Sequence, residues 1–415
     1  MRKIFSLILM TLVVAIAYAS DIECVGVATQ VVNGTDTSYI FKDEIHLRST
    51  IGDITWYHAD GTEYASGTDE IYPGEGCYKA AGHSFCVYMY TDIADLDFTV
   101  EPDCESTIIR VKGDMGALAR TYSLSYNALA WNGEQWYDSA AVHTGKLRSV
   151  FTIPALYGTT PLRLCYDPEV RSALGLDSAC VEVQLQPEEV RAVNMQLTHI
   201  ATTRGEEGEK SNERNRPSSE TLITGSEYSG PLEVAFYSNP TPAVLYYRWS
   251  IYKATELIVN RFDPDIRYTF SEPGTYRVVC SVNNTSCQTD SSEVTVAIAE
   301  SYLAVPNVFT PNNDGQNDEF RVAYRSLREF HIWVYNRWGK LVYESVDPAK
   351  GWDGTINGRP AAVGAYYYVI RALGTDAPKD AQYIGLKAVY KSRKANADKS
   401  VVGVYQLSGD INLLR

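Results

Sequence analysis

Short runs of alternating apolar and polar residues recur along most of this chain, separated by turns rich in glycine, asparagine, aspartate and proline. Residues 44–49 and 121–126, for example, alternate with the period of two that a half-buried β-strand requires. Helical periodicity is nearly absent, and the single predicted helix is the short segment 168–174. Because closely spaced short strands are typical of β-sandwiches, the pattern predicts an all-β chain of tandem immunoglobulin-like sandwiches.

The N-terminus departs from this pattern. Arg2 and Lys3 precede an apolar run over residues 4–17, and an A-x-A sequence ends at Ala19. These features predict a secretory signal peptide over residues 1–19, with a buried strand as the alternative. The run is too short to span a membrane. No other long apolar run follows, so we expect the mature chain to be soluble or peripherally held.

Turn signals and composition divide the mature chain into modules. Residues 20–102 place Trp56 in a strand before an Asp-Gly turn, which favours an immunoglobulin-like core. Residues 103–203 contain a hairpin with an Asn-Gly turn and are predicted to form a second immunoglobulin-like module. Residues 204–228 begin with a long polar stretch that cannot bury a core. They are predicted to be a flexible linker, with a proteolytic processing site as a second interpretation.

The third module, residues 229–300, carries a more specific pattern. The runs P-L-E-V-A-F and Y-R-W-S-I precede the segment Y-T-F-S-E-P-G-T-Y-R-V at 268–278. These runs resemble the PKD-like (polycystic-kidney-disease-type) immunoglobulin-like domains of bacterial surface proteins. The resemblance implies a spacer or adhesive module rather than a catalytic one. The Pro-Gly turn is expected to place the ring of Tyr276 beside Trp249.

Eight cysteines, all beyond the predicted signal peptide, indicate disulfides in an exported chain. Six of them form three local pairs, each bracketing a turn between two strand-like runs. The predicted bridges are Cys77–Cys86, Cys165–Cys180 and Cys280–Cys287. Cys24 and Cys104 are left over, and the sequence leaves their pairing open. A zinc site is disfavoured, because the cysteines lack C-x-x-C spacing and neighbouring histidines.

Residues 301–415 predict a small C-terminal antiparallel β-sandwich. Residues 330–344 form an alternating hairpin pattern around a turn that contains Gly339, where a hairpin needs positive φ. Two further tight turns follow, and strands are predicted at 365–372 and 411–415. The tryptophans and tyrosines are expected to form the core, which is the main alternative to a ligand-binding role for them.

Five ordered motifs in this region carry a resemblance to a known family. They are V-P-N-V-F-T-P-N-N-D-G-Q-N-D-E-F at 305–320, N-R-W-G at 336–339, G-W-D-G-T at 351–355, G-A-Y-Y-Y at 364–368 and I-N-L-L-R at 411–415. Together they resemble the gliding-motility-associated C-terminal domain, which is the type B sorting domain of type IX secretion in Bacteroidetes.

The resemblance implies where the protein is exported to and how it is held there. Such domains are signals that the type IX translocon recognises, so export through the periplasm to the cell surface and outer membrane is expected. They are thought to stay attached through PorP/SprF-like outer-membrane β-barrels, which would make the membrane association of this chain indirect. The residues carried over as candidates for sorting and partner recognition are Asn307, Phe309, Thr310, Pro311, Asn312, Asp314, Gly315, Asn317, Asp318, Phe320, Asn336, Arg337, Trp338, Gly339, Trp352, Asp353, Gly354, Leu413, Leu414 and Arg415.

Strand addition is the recognition mode that we expect. In this mode an exposed sheet edge offers its backbone groups to a strand of the partner, and alternate side chains give selectivity. The chain departs from the family pattern at residues 379–406, where an extra stretch predicts an added hairpin or loop. Because of this insertion, the usual presentation of the terminal strand is not assumed for this chain.

Charge is unevenly distributed. The whole chain has a formal net charge of −14, whereas residues 301–415 hold 15 Lys and Arg against 11 Asp and Glu, a net charge of +4. Residues 20–102 hold 15 acids and 3 bases, a net charge of −12. The acidic body argues against nucleic acid as a partner, since phosphates require basic patches, and suits solubility at a cell surface. The basic C-terminal region suits docking to an acidic surface.

Candidate ligand chemistry is sparse. Asn312, Asp314, Gln316 and Asp318 fall at every second position, as in calcium loops, but the distal glutamate of an EF-hand is missing. We favour an Asx-turn that stiffens the loop, with Gly315 in a left-handed conformation. We therefore predict no cofactor and no metal, and keep calcium as the alternative. The six histidines are isolated, and no nucleophile elbow, phosphate loop or dinucleotide fingerprint occurs.

These observations favour a non-enzymatic exported protein. We predict a scaffold, or a component of secretion or motility machinery, that leaves the cell by type IX secretion and is held at the surface by its C-terminal domain. The alternative is a surface adhesin or glycan-binding protein that acts through residues 20–203. An enzyme in the same residues is the least favoured interpretation, because the motifs offer no catalytic constellation.

Overall fold

The computed structural model describes residues 21–25, 28–33, 36–116, 118–204, 210–223, 225–289, 291–384, 387–389 and 401–415. They fall into two units, one within residues 1–130 and 137–190 and the other within residues 131–136 and 191–415. The predicted signal peptide lies outside the described residues. Within the described ranges, no helix has the length and apolar character needed to cross a membrane.

The first sandwich begins at Ile22. Its strands are β1 (Ile22–Val25), β2 (Ala28–Asn33), β3 (Asp36–Phe41), β4 (His46–Ser49), β5 (Ile54–His58), β6 (Glu63–Thr68), β7 (Glu70–Ile71), β8 (Gly76–Ala80) and β9 (His83–Met89). One sheet has the order β1-β4-β7 and the other β2-β3-β9-β8-β5-β6. As predicted, Trp56 lies in a strand and is fully buried, and its ring meets Phe85 edge-on at 6.4 Å.

The second sandwich contains the predicted short helix. Its elements are β10 (Asp97–Pro102), β11 (Ser106–Lys112), β12 (Thr121–Trp131), β13 (Trp136–Lys146), β14 (Val150–Pro154), β15 (Pro161–Tyr166), α1 (Pro168–Ala173) and β16 (Ala179–Gln184). The sheets have the orders β10-β11-β14 and β13-β12-β15-β16. The predicted boundary at residue 103 falls too late, because β10 pairs with β11 from Asp97 onward.

Two of the three predicted disulfides are present. Cys77–Cys86 joins β8 to β9, and Cys165–Cys180 joins β15 to β16. In both hairpins the two cysteines lie directly opposite each other in the strand register. Directly opposed residues are close enough for a bridge, so local spacing was sufficient to predict these pairs.

A buried ion pair lies where α1 begins. Arg120 Nη1 donates to Asp167 Oδ2 at 2.8 Å, and both side chains are only 2% exposed. Arg120 Nη2 also donates to the Thr91 carbonyl at 2.5 Å, and the Thr121 N–H donates to Asp167 Oδ1 at 2.8 Å. Both charges therefore have further hydrogen-bond partners, as an ion pair removed from water requires.

The third sandwich starts earlier than predicted. Its strands are β17 (Thr198–Ala201), β18 (Glu227–Tyr228), β19 (Leu232–Tyr237), β20 (Tyr246–Lys253), β21 (Glu256–Arg261), β22 (Asp265–Phe270), β23 (Gly274–Asn283) and β24 (Ser292–Ile298). The sheets have the orders β17-β19-β22 and β18-β24-β23-β20-β21. β17 was predicted to belong to the second module, but it pairs with β19, from Thr198 opposite Tyr237 to Ala201 opposite Val234.

Trp249 and Tyr276 are both buried in this sandwich, but they are not the ring partners that the sequence predicted. Tyr276 packs edge-on against Phe270 at 4.9 Å, whereas Trp249 lies 6.2 Å from Phe236. The register explains the difference, because Trp249 lies opposite Cys280, four residues along β23 from Tyr276.

The predicted Cys280–Cys287 disulfide is wrong. Cys280 is a fully buried free thiol, whereas Cys287 is disulfide-bonded. Ser292 lies opposite Cys280 in the β23–β24 ladder, while the Cys287 carbonyl accepts the Asn284 N–H in the turn. The two cysteines are thus displaced by about four residues, roughly 13 Å along the strand, which no disulfide can span. Burial raises the pKa of the Cys280 thiol to about 12.

The two cysteines left over in the sequence do not pair with each other. Cys24 is a free thiol, whereas Cys104 is disulfide-bonded. Partial burial raises the pKa of the Cys24 thiol to about 11. Its thiolate form is therefore scarce at neutral pH.

The C-terminal domain is built on a five-stranded sheet. Its strands are β25 (Tyr302–Ala304), β26 (Val308–Phe309), β27 (Ala323–Arg325), β28 (Leu327–Tyr335), β29 (Leu341–Ser345), β30 (Thr355–Ile356), β31 (Arg359–Pro360), β32 (Gly364–Gly374), β33 (Gln382–Ile384), β34 (Lys387–Val389) and β35 (Val404–Leu413). The main sheet has the order β26-β35-β32-β28-β29, and β25-β27, β30-β31 and β33-β34 form two-stranded sheets.

The terminal strand is longer than predicted. β35 begins at Val404 and pairs with β32 along its whole length, as far as Leu413 opposite Gly364. Part of the predicted insertion 379–406 therefore belongs to this strand. The β33–β34 hairpin agrees with the prediction of an added hairpin or loop, and residues 390–400 lie outside the described ranges.

The third sandwich and the C-terminal domain are joined by buried hydrogen bonds. The Ser326 N–H donates to Ser229 Oγ at 2.8 Å, and Ser326 Oγ donates to the Ala299 carbonyl at 2.7 Å. The Gly230 N–H donates back to Ser326 Oγ at 3.0 Å. Both serines are fully buried, so the junction satisfies its polar groups internally.

An ion-pair bridge at the same junction makes stability depend on pH. Glu272 of the third sandwich contacts Lys253 at 2.8 Å and Lys379 of the C-terminal domain at 2.7 Å. The hydrogen bonds from Lys253 and then Lys379 lower the pKa of Glu272 to about 2. A lowered folded-state pKa stabilises the fold above the unfolded pKa, and this stabilisation is lost as pH falls from about 4.5 towards about 2.

Replacing Glu272 by glutamine is expected to remove this pH dependence. The side chain is 41% exposed, so screening limits the contribution to about 1 kcal/mol or less. The measurement is the difference in unfolding free energy between wild type and E272Q, from pH 6 to pH 2. We expect the difference to shrink towards zero in acid. A difference that does not change with pH would contradict this assignment.

Candidate functional site

The first and last motifs of the C-terminal domain are hydrogen-bonded to each other. β26 runs parallel to the end of β35, with Phe309 opposite Leu413. The Asn412 N–H donates to the Asn307 carbonyl at 2.9 Å, and the Leu414 N–H donates to the Phe309 carbonyl at 3.1 Å. Segments about a hundred residues apart in the sequence thus form one sheet edge.

Trp352 brings the G-W-D-G-T motif to the same place. Its ring lies 5.4 Å from that of Phe309 and 4.9 Å from that of Tyr366. The indole N–H donates to the Thr355 carbonyl at 2.8 Å. The Trp352 backbone exchanges two hydrogen bonds with Phe320, at 2.8 and 3.1 Å. The rings of Phe309, Phe320, Trp352 and Tyr366 are 5% exposed or less and form part of the domain core.

Gly354 is a point of close approach between three of the motifs. A Cβ at this position would lie 2.9 Å from Pro311 Cγ, 3.2 Å from Leu413 Cδ1 and 3.3 Å from a ring carbon of Phe309. Gly354 also has a φ of +72°, where an L side chain is strained. Arg415 Nη2 donates to its carbonyl at 3.3 Å. The chain end, the first motif and the G-W-D-G-T turn therefore converge on a glycine.

Replacing Gly354 by alanine is expected to destabilise the C-terminal domain by about 2–4 kcal/mol, from overpacking and backbone strain together. Gly339 is the matched control, because it has a φ of +75° but a Cβ added there would meet no atom within 4 Å. G339A should therefore cost only the strain, about 1 kcal/mol. Hydrogen exchange in β26, β32 and β35 measures the destabilisation by each substitution. Equal losses of protection in G354A and G339A would contradict close packing of the motifs around Gly354.

The loop after β26 is held by Asx-type hydrogen bonds, as the sequence predicted. The two carboxylate oxygens of Asp318 accept the N–H groups of Asn313 and Gly315 at 2.7 and 2.9 Å. Asp314 Oδ1 accepts the Gln316 N–H at 2.8 Å, which lowers the pKa of Asp314. Gly315 has the expected left-handed φ of +87°. Among the described residues, no three His, Cys, Asp or Glu side chains gather as a metal site.

The N-R-W-G turn between β28 and β29 is rigid and exposed. Asn336 Oδ1 accepts the N–H groups of Trp338 and Lys340, each at 3.0 Å, and the Gly339 N–H donates to the Asn336 carbonyl at 2.9 Å. Trp338 is 80% exposed. The Arg337 guanidinium lies 5.0 Å from the centre of the indole ring. The turn thus presents a tryptophan and an arginine to solvent on a fixed backbone.

This turn lies at the same end of the sheet as the other motifs. Tyr335 pairs with Tyr367, and Tyr367 pairs with Asp410. β32 begins at Gly364, opposite Leu413 at the end of β35. The turn is separated from β35 by two strand spacings, about 10 Å. We call this end of the sheet, with the loop 310–319, the turns 336–340 and 352–354 and the chain end 413–415, the motif end.

The structure divides the predicted recognition residues into buried, exposed and partly exposed groups. Buried residues shape the motif end from within, and these are Phe309, Phe320, Trp352, Gly354 and Leu413. Exposed residues are available to a partner, and these are Asn307, Asn312, Asp314, Gly315, Asn317, Arg337, Trp338, Gly339, Asp353, Leu414 and Arg415. The remaining candidates, Thr310, Pro311, Asp318 and Asn336, are partly exposed.

Sequence reasoning missed a strap of residues 210–216 that lies on the C-terminal domain. This segment was predicted to be part of a flexible linker. Instead, the Arg214 N–H donates to the Tyr324 carbonyl at 2.8 Å, and the Tyr324 N–H donates to the Asn212 carbonyl at 3.3 Å. Glu213 pairs in parallel with Tyr324 between these bonds. The strap is therefore joined to β27 by a single β-bridge.

The strap is held by charged side chains as well as by its backbone. Glu213 is 5% exposed at its side chain and contacts Arg204 at 2.6 Å. The Arg214 guanidinium lies 4.4 Å from the centre of the Tyr302 ring. Asn212 Nδ2 donates to the Arg321 carbonyl at 3.5 Å. Polar and charged residues can thus dock without an apolar face, which is why composition alone predicted a linker.

Comparison with known proteins identifies one part of the chain. Residues 303–386 match the family model described as CHU_C Type IX secretion signal domain. No curated protein matches the chain. A two-domain fibronectin type-III segment of chicken tenascin is 11% identical and covers 50% of this chain and 99% of its own, with a TM-score of 0.19. The FN1–FN3 domains of chicken CNTN1 are 9% identical. The match covers 77% of this chain and 97% of that one, with a TM-score of 0.23. At these TM-scores neither likeness carries an argument.

The family match and the geometry concern the same domain. The matched range includes the loop after β26, the N-R-W-G turn and the Trp352 turn, and β35 completes the sheet beyond it. Immunoglobulin-like sandwiches precede this range, as the alternating pattern predicted. Residues 303–386 of the C-terminal domain are a CHU_C type IX secretion signal domain.

Proposed function

We propose that this chain is a non-enzymatic scaffold of the cell surface, or a component of secretion or motility machinery, held at the outer membrane by its signal domain. The type IX secretion signal domain supports secretion by that system and attachment at the cell surface. This match is the observation that carries the proposal. The preceding sandwiches supply cross-linked β-structure of the kind used in spacers.

An outer-membrane β-barrel of the PorP/SprF-like kind is the proposed partner. Strand addition to the last residues of the chain is disfavoured, because β35 pairs with β32 throughout and with β26 at Asn412 and Leu413. β29 (Leu341–Ser345) is the last strand in the order of the main sheet and offers an edge instead. The part of β35 before Asn412 is a second edge, because β26 pairs only with Asn412 and Leu413. Tyr383 lies beside this edge, and its hydroxyl donates to the Tyr405 carbonyl.

The attachment is tested by isolating the full-length chain with its neighbours from outer membranes. Short-range chemical crosslinking on intact cells, followed by affinity purification through a tag, should recover an outer-membrane β-barrel protein crosslinked to residues of the signal domain. Recovery of the chain from the culture medium without a crosslinked membrane protein would contradict attachment. Crosslinks confined to residues 21–190 would contradict the role of the signal domain in it.

A further inference from the structure

The most exposed large apolar side chain in the described residues is Trp338, at 80%. It lies on a turn with Gly339 at a φ of +75°, where Asn336 Oδ1 accepts hydrogen bonds from the N–H groups of Trp338 and Lys340. Apolar side chains that are grouped and left in water mark interaction sites, so the neighbours of Trp338 decide whether it belongs to one. Because hydrogen bonds already hold the backbone of the turn, less entropy is lost when a partner binds it.

The neighbours of Trp338 extend it into a small surface. The Arg337 guanidinium lies 5.0 Å from the indole centre. Leu341, 42% exposed, and Tyr367, 51% exposed, both pair with Tyr335 in the sheet register. Tryptophan and arginine are the side chains most enriched at the energetic centres of protein interfaces. We call Arg337, Trp338, Leu341 and Tyr367 the turn patch.

The turn patch adjoins β29, which is an edge strand among the described strands of the main sheet. Leu341 is the first residue of β29, which is the last strand of the five-stranded sheet. A partner strand that pairs with β29 would therefore place its end beside Trp338. Backbone pairing along the edge supplies affinity, and a side-chain anchor next to the edge supplies selectivity.

Charges at the motif end favour a protein over a lipid surface as the occupant. Arg337 and Lys340 flank Trp338 and call for carboxylates on the partner. Asp410 lies opposite Tyr367 in the register, and Asp314 and Asp353 are exposed at the same end. An anionic membrane would attract the two bases but repel these three carboxylates. A discrete protein pocket can accommodate both signs.

We propose that the turn patch and the β29 edge form the surface by which the folded signal domain is recognised. The partner is a protein that offers a β-strand to β29, together with an apolar pocket for Trp338 flanked by carboxylates for Arg337. This inference rests on the proposed function, because it names the part of the signal domain that the export and attachment machinery contacts. The buried motif residues then act by positioning this surface.

The test compares single substitutions in the full-length chain, expressed in the bacterium that encodes it. The variants are W338A and R337E, and V346A is the control. Val346 is 67% exposed and directly follows Ser345 at the far end of β29, so it is comparable to Trp338 in exposure but lies at the other end of that strand. Surface exposure is measured by protease accessibility on intact cells, and the thermal unfolding of each purified chain is measured in parallel.

We expect W338A and R337E to lower the surface-exposed fraction by about tenfold or more, as loss of an interface centre would. V346A should stay within about twofold of wild type, and all three variants should unfold like wild type. Normal surface exposure of W338A would overturn the inference. If W338A also unfolds early, R337E decides the outcome, because Arg337 is an exposed residue.

Two further experiments distinguish this inference from the proposed function and from binding to a lipid surface. A chain lacking residues 303–415 tests the proposed function itself: if it is retained inside the cell while W338A is exported, the recognition surface is wrong and the proposed function stands. Co-sedimentation with vesicles of phosphatidylethanolamine and phosphatidylglycerol tests the lipid alternative. Strong binding by wild type that W338A abolishes would favour a membrane surface and overturn the protein partner.

Discussion

Replacing Trp352 by alanine is expected to lower the unfolding free energy of the signal domain by about 3–5 kcal/mol, the range for removing a buried aromatic side chain. Trp352 is 1% exposed, contacts Phe309 and Tyr366, and donates its indole N–H to the Thr355 carbonyl. The substitution leaves a cavity between the first motif and β32 and removes a hydrogen-bond donor from a partly buried carbonyl.

Trp338→Ala is the matched control for this prediction. It removes the same side chain from the same domain, but at a position that is 80% exposed, so stability should change by no more than about 0.5 kcal/mol. Hydrogen exchange of peptides from residues 303–384 and 401–415 measures both variants in the full-length chain. W352A should lose protection across β26, β32 and β35. Unchanged protection would mean that the motifs do not share one core.

Replacing Asp167 by asparagine is expected to destabilise the second sandwich by about 3 kcal/mol or more. Asparagine has the same size as aspartate. It also tolerates the left-handed backbone conformation at this position, where φ is 43°. The substitution removes the charge that faces the Arg120 guanidinium at 2.8 Å, in a place where both side chains are 2% exposed. The guanidinium is then buried without a counter-charge, which is the costly state.

The double variant Arg120→Met with Asp167→Asn tests the physical reason. Removing both charges removes the desolvated cation, so the double variant should be more stable than D167N. The double-mutant cycle isolates the coupling energy between the two residues. The measurement is urea-induced unfolding followed by hydrogen exchange in β12 and β15. If D167N alone costs less than about 1 kcal/mol, the ion pair is not the stabilising element that its burial indicates.

Alternation and local spacing predicted much of the fold, because both depend on neighbours in the sequence. Trp56 in a strand, the helix at Pro168–Ala173 and the Cys165–Cys180 bridge follow from patterns within about fifteen residues. The same logic failed for Cys280 and Cys287. Their spacing resembles that of a bridged hairpin, but the ladder register places Ser292 opposite Cys280.

The remaining differences come from contacts between distant segments. Thr198–Ala201 alternates like any strand, and nothing local shows that it pairs with Leu232–Tyr237 of the next module. Residues 210–216 lack an apolar face, yet they bind through backbone groups and ion pairs that a composition argument does not register. The separation of predicted recognition residues into buried and exposed groups likewise required the register of β35, β32 and β28.

The location of the full-length chain, compared with that of a chain ending at Glu300 in the bacterium that encodes it, tests the role of the signal domain most directly. Protease added to intact cells should degrade the full-length chain. We expect the shortened chain to be protected until the outer membrane is opened, because it lacks the type IX secretion signal domain. Protease sensitivity of the shortened chain on intact cells, equal to that of the full-length chain, would contradict export through this domain.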